Sequence, residues 1–175
     1  MVISGLPASG KTTLACQLAS ELHLPVIDKD SILEDLFASR GVGDAAWRRM
    51  LSRESDLLLA ARARASEAAI LVSFWHHPTM AADVGTPTAW LSELAGRVVN
   101  VHCVCPTEIA AQRFLRRQRH PGHLDTQRDY QDVLQSLLPL AELRPIEIES
   151  RIEIDTSQPV DLAGLVSEVD RAFAL

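Results

Sequence analysis

Several residue types are scarce in this 175-residue chain, and each scarcity excludes a class of protein. There are only two lysines and the formal net charge is −6. A surface that coats nucleic acid needs a basic footprint, so we expect no nucleic-acid partner. No apolar run approaches the length of a membrane span, so we expect no membrane partner. The three cysteines are odd in number, which favours buried thiols in a reducing cytoplasm over a disulfide or a metal site.

What the chain does contain is a regular alternation of short apolar runs and helical patterns. The apolar runs lie at 1–4, 24–27, 69–75, 98–104 and 151–154. This alternation predicts one α/β domain over residues 1–175, with three layers: a five-stranded parallel sheet and helices on both of its faces. Ligands in such sheets bind beyond the carboxyl ends of the strands. The residues directly after each strand are therefore the functional candidates.

The residues after the first strand carry the most specific motif. The sequence "GLPASGKT" matches G-x-x-x-x-G-K-[ST], with a strand before it and a helix after it. Gly5 and Gly10 let the backbone fold around an anion with its N–H groups pointing inward. We expect Lys11 to reach the β- and γ-phosphates of a nucleotide and the Thr12 hydroxyl to bind Mg²⁺. The predicted phosphate loop consists of Gly5, Leu6, Pro7, Ala8, Ser9, Gly10, Lys11, Thr12 and Thr13.

Two carboxylates follow the second strand, in "IDKDS". A kinase needs a carboxylate to orient and deprotonate the hydroxyl that accepts the phosphoryl group. We therefore interpret Asp30 as the catalytic carboxylate and as a substrate contact. Thr12, Asp28 and Asp30 are the candidate metal ligands. The alternative role for this segment is a helix cap made by Asp30 or Ser31.

Arginines are concentrated in "RFLRRQR" within an otherwise acidic chain. Arg113, Arg116 and Arg117 have the spacing of one helix face. Arginine forks match the charge that spreads over a transferring phosphoryl group, so the cluster suggests an anion. Pro121-Gly122 can hinge a lid that excludes water, and we place this lid at about 117–127. The alternative is a solvated charged face.

These motifs together resemble the small P-loop kinases that include chloramphenicol phosphotransferase and the zeta-toxin kinases, and most closely the bacterial AAA-domain ATP-binding proteins of that group. The resemblance covers nearly the whole chain and rests on "GLPASGKTTLA", "VIDKDSILEDL", "ILVSFWHHP", "VVNVHCVCPTEIAAQRFLRRQRHPGH" and "IDTSQPVDL". It implies a P-loop NTPase fold with sheet order 2-3-1-4-5, ATP as donor and Asp30 as the catalytic carboxylate. It also implies that Arg113 and Arg117, more securely than Arg116 and Arg119, bind ATP phosphates and take part in catalysis. The loop after strand five, Asp155–Gln158, is implied to approach adenine, which adds Asp155, Thr156 and Ser157 to the cofactor-binding residues.

The third strand departs from this resemblance, because many of the resembled kinases end it with an acidic residue. Here the strand runs into "SFWHH", so Mg²⁺ would rely on the ligands named above and on water. Trp75 and His76 are candidates for substrate contact. The helical pattern before this strand carries Arg48, Arg49 and Arg53, which we interpret as a solvated face. In such kinases the helix at this place often covers the acceptor site.

The sequence therefore favours a kinase that uses ATP and Mg²⁺ and acts on a hydroxyl of a small molecule. A nucleotide or nucleoside kinase is the first alternative, although aromatic residues able to stack a second base are few. A regulatory nucleotide-binding module that hydrolyses ATP slowly is the second. The sequence leaves the acceptor and the oligomeric state open.

Overall fold

A computed structural model describes residues 1–81, 83–125 and 128–174. Its strands are β1 (Val2–Gly5), β2 (Val26–Asp28), β3 (Ile70–Val72), β4 (Val99–Val104) and β5 (Ser150–Asp155). Its α-helices are α1 (Lys11–Leu22), α2 (Lys29–Arg40), α3 (Ala45–Ala65), α4 (Thr107–Arg116), α5 (Tyr130–Ala141) and α6 (Leu162–Ala174). Short 3₁₀ turns span Ala89–Glu93 and Pro121–His123.

The five strands form one parallel sheet in the order β2-β3-β1-β4-β5, which confirms the expected fold and strand order. The register brings Gly5 opposite Cys103 and Asp28 opposite Val72. The glycine that opens the phosphate loop and the carboxylate that ends β2 therefore lie at the same edge of the sheet. This edge is where ligands bind in parallel sheets.

Both faces of the sheet are covered, which explains why its strands read as continuous apolar runs. Ile3 packs with Leu14 and Leu18 of α1 on one face. The neighbouring Val2 packs with Leu59 of α3 on the other face. Because successive side chains of a strand point to opposite faces, the four residues of β1 anchor both helical layers beneath the phosphate loop.

The cysteines follow the expectation only in part. Cys103 and Cys105 are buried, but Cys16 is exposed on α1. The apolar stripe of α1 runs through Leu14, Ala15 and Leu18, and Cys16 lies outside it. No helix in the described part of the chain is long and apolar enough to cross a bilayer.

Candidate active site

The phosphate loop needs glycine at both of its ends. Gly5 has φ +132, and a Cβ there would lie 2.6 Å from the carbonyl oxygen of Cys103. Gly10, which precedes α1, has φ +95. Ala8 also adopts a positive φ of +61 in the middle of the loop, which the motif did not predict. The turns imposed by these residues give the loop the concave backbone that an anion site requires.

Lys11 folds back onto the loop that carries it. Its Nζ donates hydrogen bonds to the carbonyl oxygens of Leu6 (2.7 Å) and Gly5 (3.1 Å). Burial lowers the pKa of Lys11 to about 8, and the negative groups nearby only partly oppose this shift. A buried ammonium with so little opposite charge around it is a site for an anion. The residues of the loop that line the cleft are Pro7, Ala8, Gly10, Lys11, Thr12 and Thr13.

Thr156, after β5, supports the loop from below. Its hydroxyl donates to the carbonyl oxygen of Ser9 at 2.6 Å, and it lies 3.0 Å from the carbonyl oxygen of Val104. Asp155 turns away and accepts a hydrogen bond from the backbone N–H of Ser157 at 2.8 Å. Of the loop predicted near adenine, Thr156 and Gln158 line the cleft, whereas Asp155 and Ser157 do not.

Thr12 and Asp28 form a hydrogen-bonded pair of oxygen-bearing side chains beside the phosphate loop. The Thr12 hydroxyl donates to one carboxylate oxygen of Asp28 at 2.8 Å, and the other oxygen accepts the backbone N–H of Asp30 at 2.9 Å. Asp28 is thus the N-cap of α2, which corrects the expectation that Asp30 or Ser31 caps this helix. Burial raises the pKa of Asp28, and the hydrogen bond from Thr12 opposes that rise. A hydroxyl and a carboxylate side by side are the oxygen donors that Mg²⁺ prefers.

Asp30 opens into the cleft and pairs with an arginine of the lid. Its carboxylate accepts a hydrogen bond from Arg119, which also binds Asp125 at 2.6 Å. Burial raises the pKa of Asp30, but the positive charges of Arg119 and its neighbours outweigh burial and hold the pKa below its usual value. Asp30 is therefore ionised at neutral pH.

The arginines of α4 and of the segment directly after it divide into two groups. Arg113 lies over the loop, where its Nη1 would be 3.8 Å from a Cβ at Gly10. Arg117 sits 4.2 Å above the ring of Phe114, and burial lowers its pKa to about 10. Arg113, Arg117 and Arg119 line the cleft, whereas Arg116 is exposed outside it. The predicted face is broken because α4 ends at Arg116 and the backbone of Arg117 is extended.

The lid rests on α2. His123 contacts Glu34 at 2.9 Å, and His120 stacks on Phe37 with 5.3 Å between ring centroids. A Cβ at Gly122 would lie 2.5 Å from the Phe37 ring. The glycine therefore allows close contact here, in addition to any hinge role. The end of the predicted lid, residues 126 and 127, lies outside the described residues.

Trp75 and His76 are not among the residues that line the cleft, so substrate contact by either of them stays a prediction. β3 ends at Val72, earlier than the apolar run predicted. Trp75 is 5% exposed, and its indole N–H donates to the carbonyl oxygen of Ile3 at 2.8 Å. The His76 ring bonds the carbonyl oxygen of Val84 at 2.8 Å. Ser73 and Phe74 line the cleft instead.

A model of the protein family described as "AAA domain" matches residues 1–137. The chain belongs to the AAA-domain family. This AAA-domain protein is 27% identical to a cytidylate kinase of Ignicoccus hospitalis over 157 residues, 90% of this chain and 82% of that kinase. It is 33% identical to a cytidylate kinase of Pyrobaculum islandicum over 57 residues, 33% of this chain and 31% of that kinase. The second match therefore spans less than a third of its relative's length.

Solved structures resemble this AAA-domain protein over almost its whole length. A candidate kinase from Chloroflexus aurantiacus has a TM-score of 0.75 and 24% identity, covering 98% of this chain and 97% of its own. A shikimate kinase from Bacteroides thetaiotaomicron has a TM-score of 0.59 and 17% identity, covering 99% and 97%. A sugar kinase from Janibacter sp. HTCC2649 has a TM-score of 0.56 and 25% identity, covering 99% and 92%. The fold is therefore the kinase-like P-loop fold.

The end of β3 shows how this AAA-domain protein arranges its charges without an acidic residue on that strand. The Ser73 and Thr86 hydroxyls lie 2.5 Å apart, and Thr86 donates to Asp56 of α3 at 2.7 Å. Asp56 also pairs with Lys29 at 2.6 Å. A carboxylate is thus present behind β3, but it is bound to Lys29 and to a hydroxyl.

The structure also adds residues that the sequence interpretation set aside. Arg48 and Arg49, interpreted as solvated, line the cleft together with Ser52. Arg53 is exposed as expected. The spacing 45, 48, 49 and 52 is that of one helix face. That pattern was visible in the sequence, but nothing local indicated that this face looks into a cleft rather than into solvent.

Proposed function

We propose that this protein is a kinase that transfers the γ-phosphoryl group of ATP, with Mg²⁺, to a hydroxyl group of a small molecule. The observation that carries the proposal is that Lys11 and the Asp30 carboxylate open into one cleft of about 1100 Å³. A buried cation that needs an anion and an ionised carboxylate able to accept a proton are the two groups that this reaction requires. The kinase relatives and the kinases of the same fold support the choice of reaction.

The donor lies along the phosphate loop in this proposal. Lys11 and the loop N–H groups hold the β- and γ-phosphates, where their charge supplies the counter-charge that Lys11 lacks. Arg113 of α4 and Arg117, directly after α4, cover the phosphates. Thr156 and Gln158 line the same end of the cleft, so we place the adenine there. Asp155 and Ser157 stay predictions as adenine contacts.

Mg²⁺ fits the pair formed by Thr12 and Asp28. Both side chains present oxygen atoms beside the loop, at 2.8 Å from each other. When bound, the metal would neutralise charge on the phosphate oxygens. Asp30 stays a candidate ligand, but its contact with Arg119 directs it toward the lid side of the cleft.

The acceptor hydroxyl lies against Asp30. Its oxygen attacks the γ-phosphorus while its proton passes to the Asp30 carboxylate, and the bond between that phosphorus and the bridging oxygen breaks to release ADP. In the structure Arg119 is hydrogen-bonded to the Asp30 carboxylate. We propose that Arg119 moves to the transferring phosphoryl group when both substrates are bound. Three arginine forks then face the charge that develops there.

Two other functions are distinguishable by experiment. The cytidylate kinases among the relatives favour a nucleotide acceptor, in which case only nucleoside monophosphates would stimulate ADP formation. A regulatory module would hydrolyse ATP at a rate that no acceptor changes. The closer resemblance to chloramphenicol phosphotransferase and zeta-toxin kinases within the family stays a prediction.

The test is ADP formation with a panel of hydroxyl compounds, followed by Asp30→Asn with the best acceptor. Turnover should fall by roughly two to four orders of magnitude, which is the usual contribution of a positioned general base. ATP affinity should stay within about severalfold, because the phosphate loop is unchanged. Stability should hardly change, since α2 is capped by Asp28 rather than by Asp30. Full activity of Asp30→Asn with an identified acceptor would contradict the proposal.

A further inference from the structure

On the β2–β3 side of the sheet, away from β4 and β5, the cleft is lined by one face of α3, which packs against α2 and β2. Ala45, Arg48, Arg49 and Ser52 follow one another on this face, at the spacing that brings side chains together along a helix. The chain at 83–85 closes the other side. If the donor lies on the phosphate loop, this end of the cleft is the space left for the acceptor.

Arg48 is half-buried in this wall and has no partner for its charge. Its Nε is buried without a hydrogen-bond partner, and its guanidinium forms no ion pair with any residue that the structure describes. The other arginines on or beside α3 are either exposed, as are Arg49, Arg53 and Arg62, or paired with a carboxylate. Arg40 holds Glu54 at 2.6 Å, and Arg64 holds Glu93 at 2.8 Å. Since buried polar groups are normally hydrogen-bonded, an unpartnered guanidinium in a cleft wall points to a ligand.

The other charges around this end leave a positive balance. Lys29 is compensated by Asp56 at 2.6 Å, and Asp30 is compensated by Arg119. The remaining lining charges at this end are Arg48, Arg49 and Asp83. Asp83 forms no ion pair within the described ranges. Two guanidinium groups therefore face one free carboxylate.

We infer that Arg48 binds an anionic group of the acceptor, a carboxylate or a phosphate, while the acceptor's hydroxyl faces Asp30. The inference rests on the proposed function and names the substrate class of that same cleft. A guanidinium is suited to this role because its planar fork offers parallel N–H donors to the oxygens of a carboxylate or phosphate. Arg49, which is exposed at the cleft rim, adds long-range attraction for the same charge.

The first test compares acceptors that share a carbon skeleton and carry no charge, a carboxylate or a phosphate: glucose, gluconate and glucose 6-phosphate, and the corresponding members of two further sugar series. In at least one series, ADP should form faster with the acid or with the phosphorylated sugar than with the neutral compound. Which of the two is preferred shows whether the subsite binds a carboxylate or a phosphate. Arg48→Ala should raise the KM of that acceptor roughly ten- to hundredfold and leave the KM of ATP unchanged. Arg48→Lys should restore part of the loss. Arg53→Ala is the matched control, because Arg53 is exposed on the same helix outside the cleft.

The outcomes separate this inference from the proposed function. If neutral acceptors are turned over and Arg48→Ala leaves the KM of the acceptor unchanged, the anionic subsite is rejected. The kinase proposal would still stand. If no compound is turned over, the result counts against the kinase proposal. A binding experiment then tests whether the anionic subsite exists. Protein saturated with Mg²⁺ and a non-hydrolysable ATP analogue, so that its phosphate loop is filled, is then titrated calorimetrically with inorganic phosphate. Binding that Arg48→Ala abolishes and Arg53→Ala retains supports the inference, and no binding, or equal binding to all variants, rejects it.

Discussion

Nucleotide binding should weaken about twentyfold between about pH 7.5 and about pH 9.5, because of the depressed pKa of Lys11. In the free protein, burial lowers this pKa to about 8. Phosphates beside the ammonium restore the charged form, so the pKa of Lys11 is higher in the complex than in the free protein. Binding then takes up a proton wherever free Lys11 is neutral. Affinity must therefore fall as the pH rises through the pKa of the free protein.

The magnitude follows from the two pKa values. The apparent dissociation constant scales with the reciprocal of the fraction of free protein in which Lys11 keeps its proton. For a pKa of about 8 this factor rises from about 1.3 at pH 7.5 to about 33 at pH 9.5. If the complex regains the ordinary lysine pKa of 10.5, its own factor changes only about 1.1-fold. The net weakening is about twentyfold, whereas a lysine of ordinary pKa would produce almost none.

Calorimetric titration with Mg²⁺ and a non-hydrolysable ATP analogue measures this profile directly. Repeating it at pH 8 in buffers of different ionisation enthalpy should show uptake of about half a proton per nucleotide bound. Lys11→Arg is the control, because a guanidinium stays charged over this range. Its profile also measures the small part that Arg117, with a pKa of about 10, contributes. A wild-type dissociation constant that changes by less than about twofold would refute the reasoning.

Two further predictions concern the metal pair and the lid. Asp28→Asn retains a capping side chain but removes the charge beside Thr12, so the Mg²⁺ concentration for half-maximal activity should rise about tenfold with little loss of stability; an unchanged Mg²⁺ titration would contradict the metal role of Asp28. Gly122→Ala puts a methyl group against the ring of Phe37, so it should destabilise the lid contact by about 1–3 kcal/mol, speed amide exchange in the lid and raise the KM of ATP. Gly96→Ala is the control, because a Cβ there meets nothing within 4 Å, and equal exchange rates in the two variants would show that the lid does not depend on this contact.

The phosphate loop was predictable because its function is encoded in consecutive residues. The two glycines, Lys11 and Thr12 need only a strand before them and a helix after them. The structure provides both, as β1 and α1. The strand order was a different kind of prediction. It followed from the family resemblance rather than from the pattern of apolar residues, since all five runs are apolar and none specifies its neighbours.

Trp75 shows the limit of predicting the end of a strand from local sequence alone. The apolar run from 69 to 75 suggested a strand that delivers Trp75 to the ligand edge, but β3 ends at Val72. The indole then turns inward, because burying a large apolar ring is favourable and its N–H finds a partner in the Ile3 carbonyl. That partner is 72 residues away in the chain. No window of the sequence around Trp75 contains this information.

The sequence by itself determined the kinds of chemical group this protein holds: a lysine in a glycine loop, carboxylates after β2 and arginines after β4. Only the tertiary structure decided which of these charges are neutralised and which are available. Asp30 is bound by Arg119, 89 residues away, whereas Arg48 has no ion-pair partner in the described parts of the chain. Ion pairs form between side chains that folding brings within a few ångströms, and residue types along the chain do not reveal those distances. The sequence therefore predicted a phosphate site, while the structure was needed to find Arg48 half-buried in the cleft wall with no ion-pair partner among the described residues.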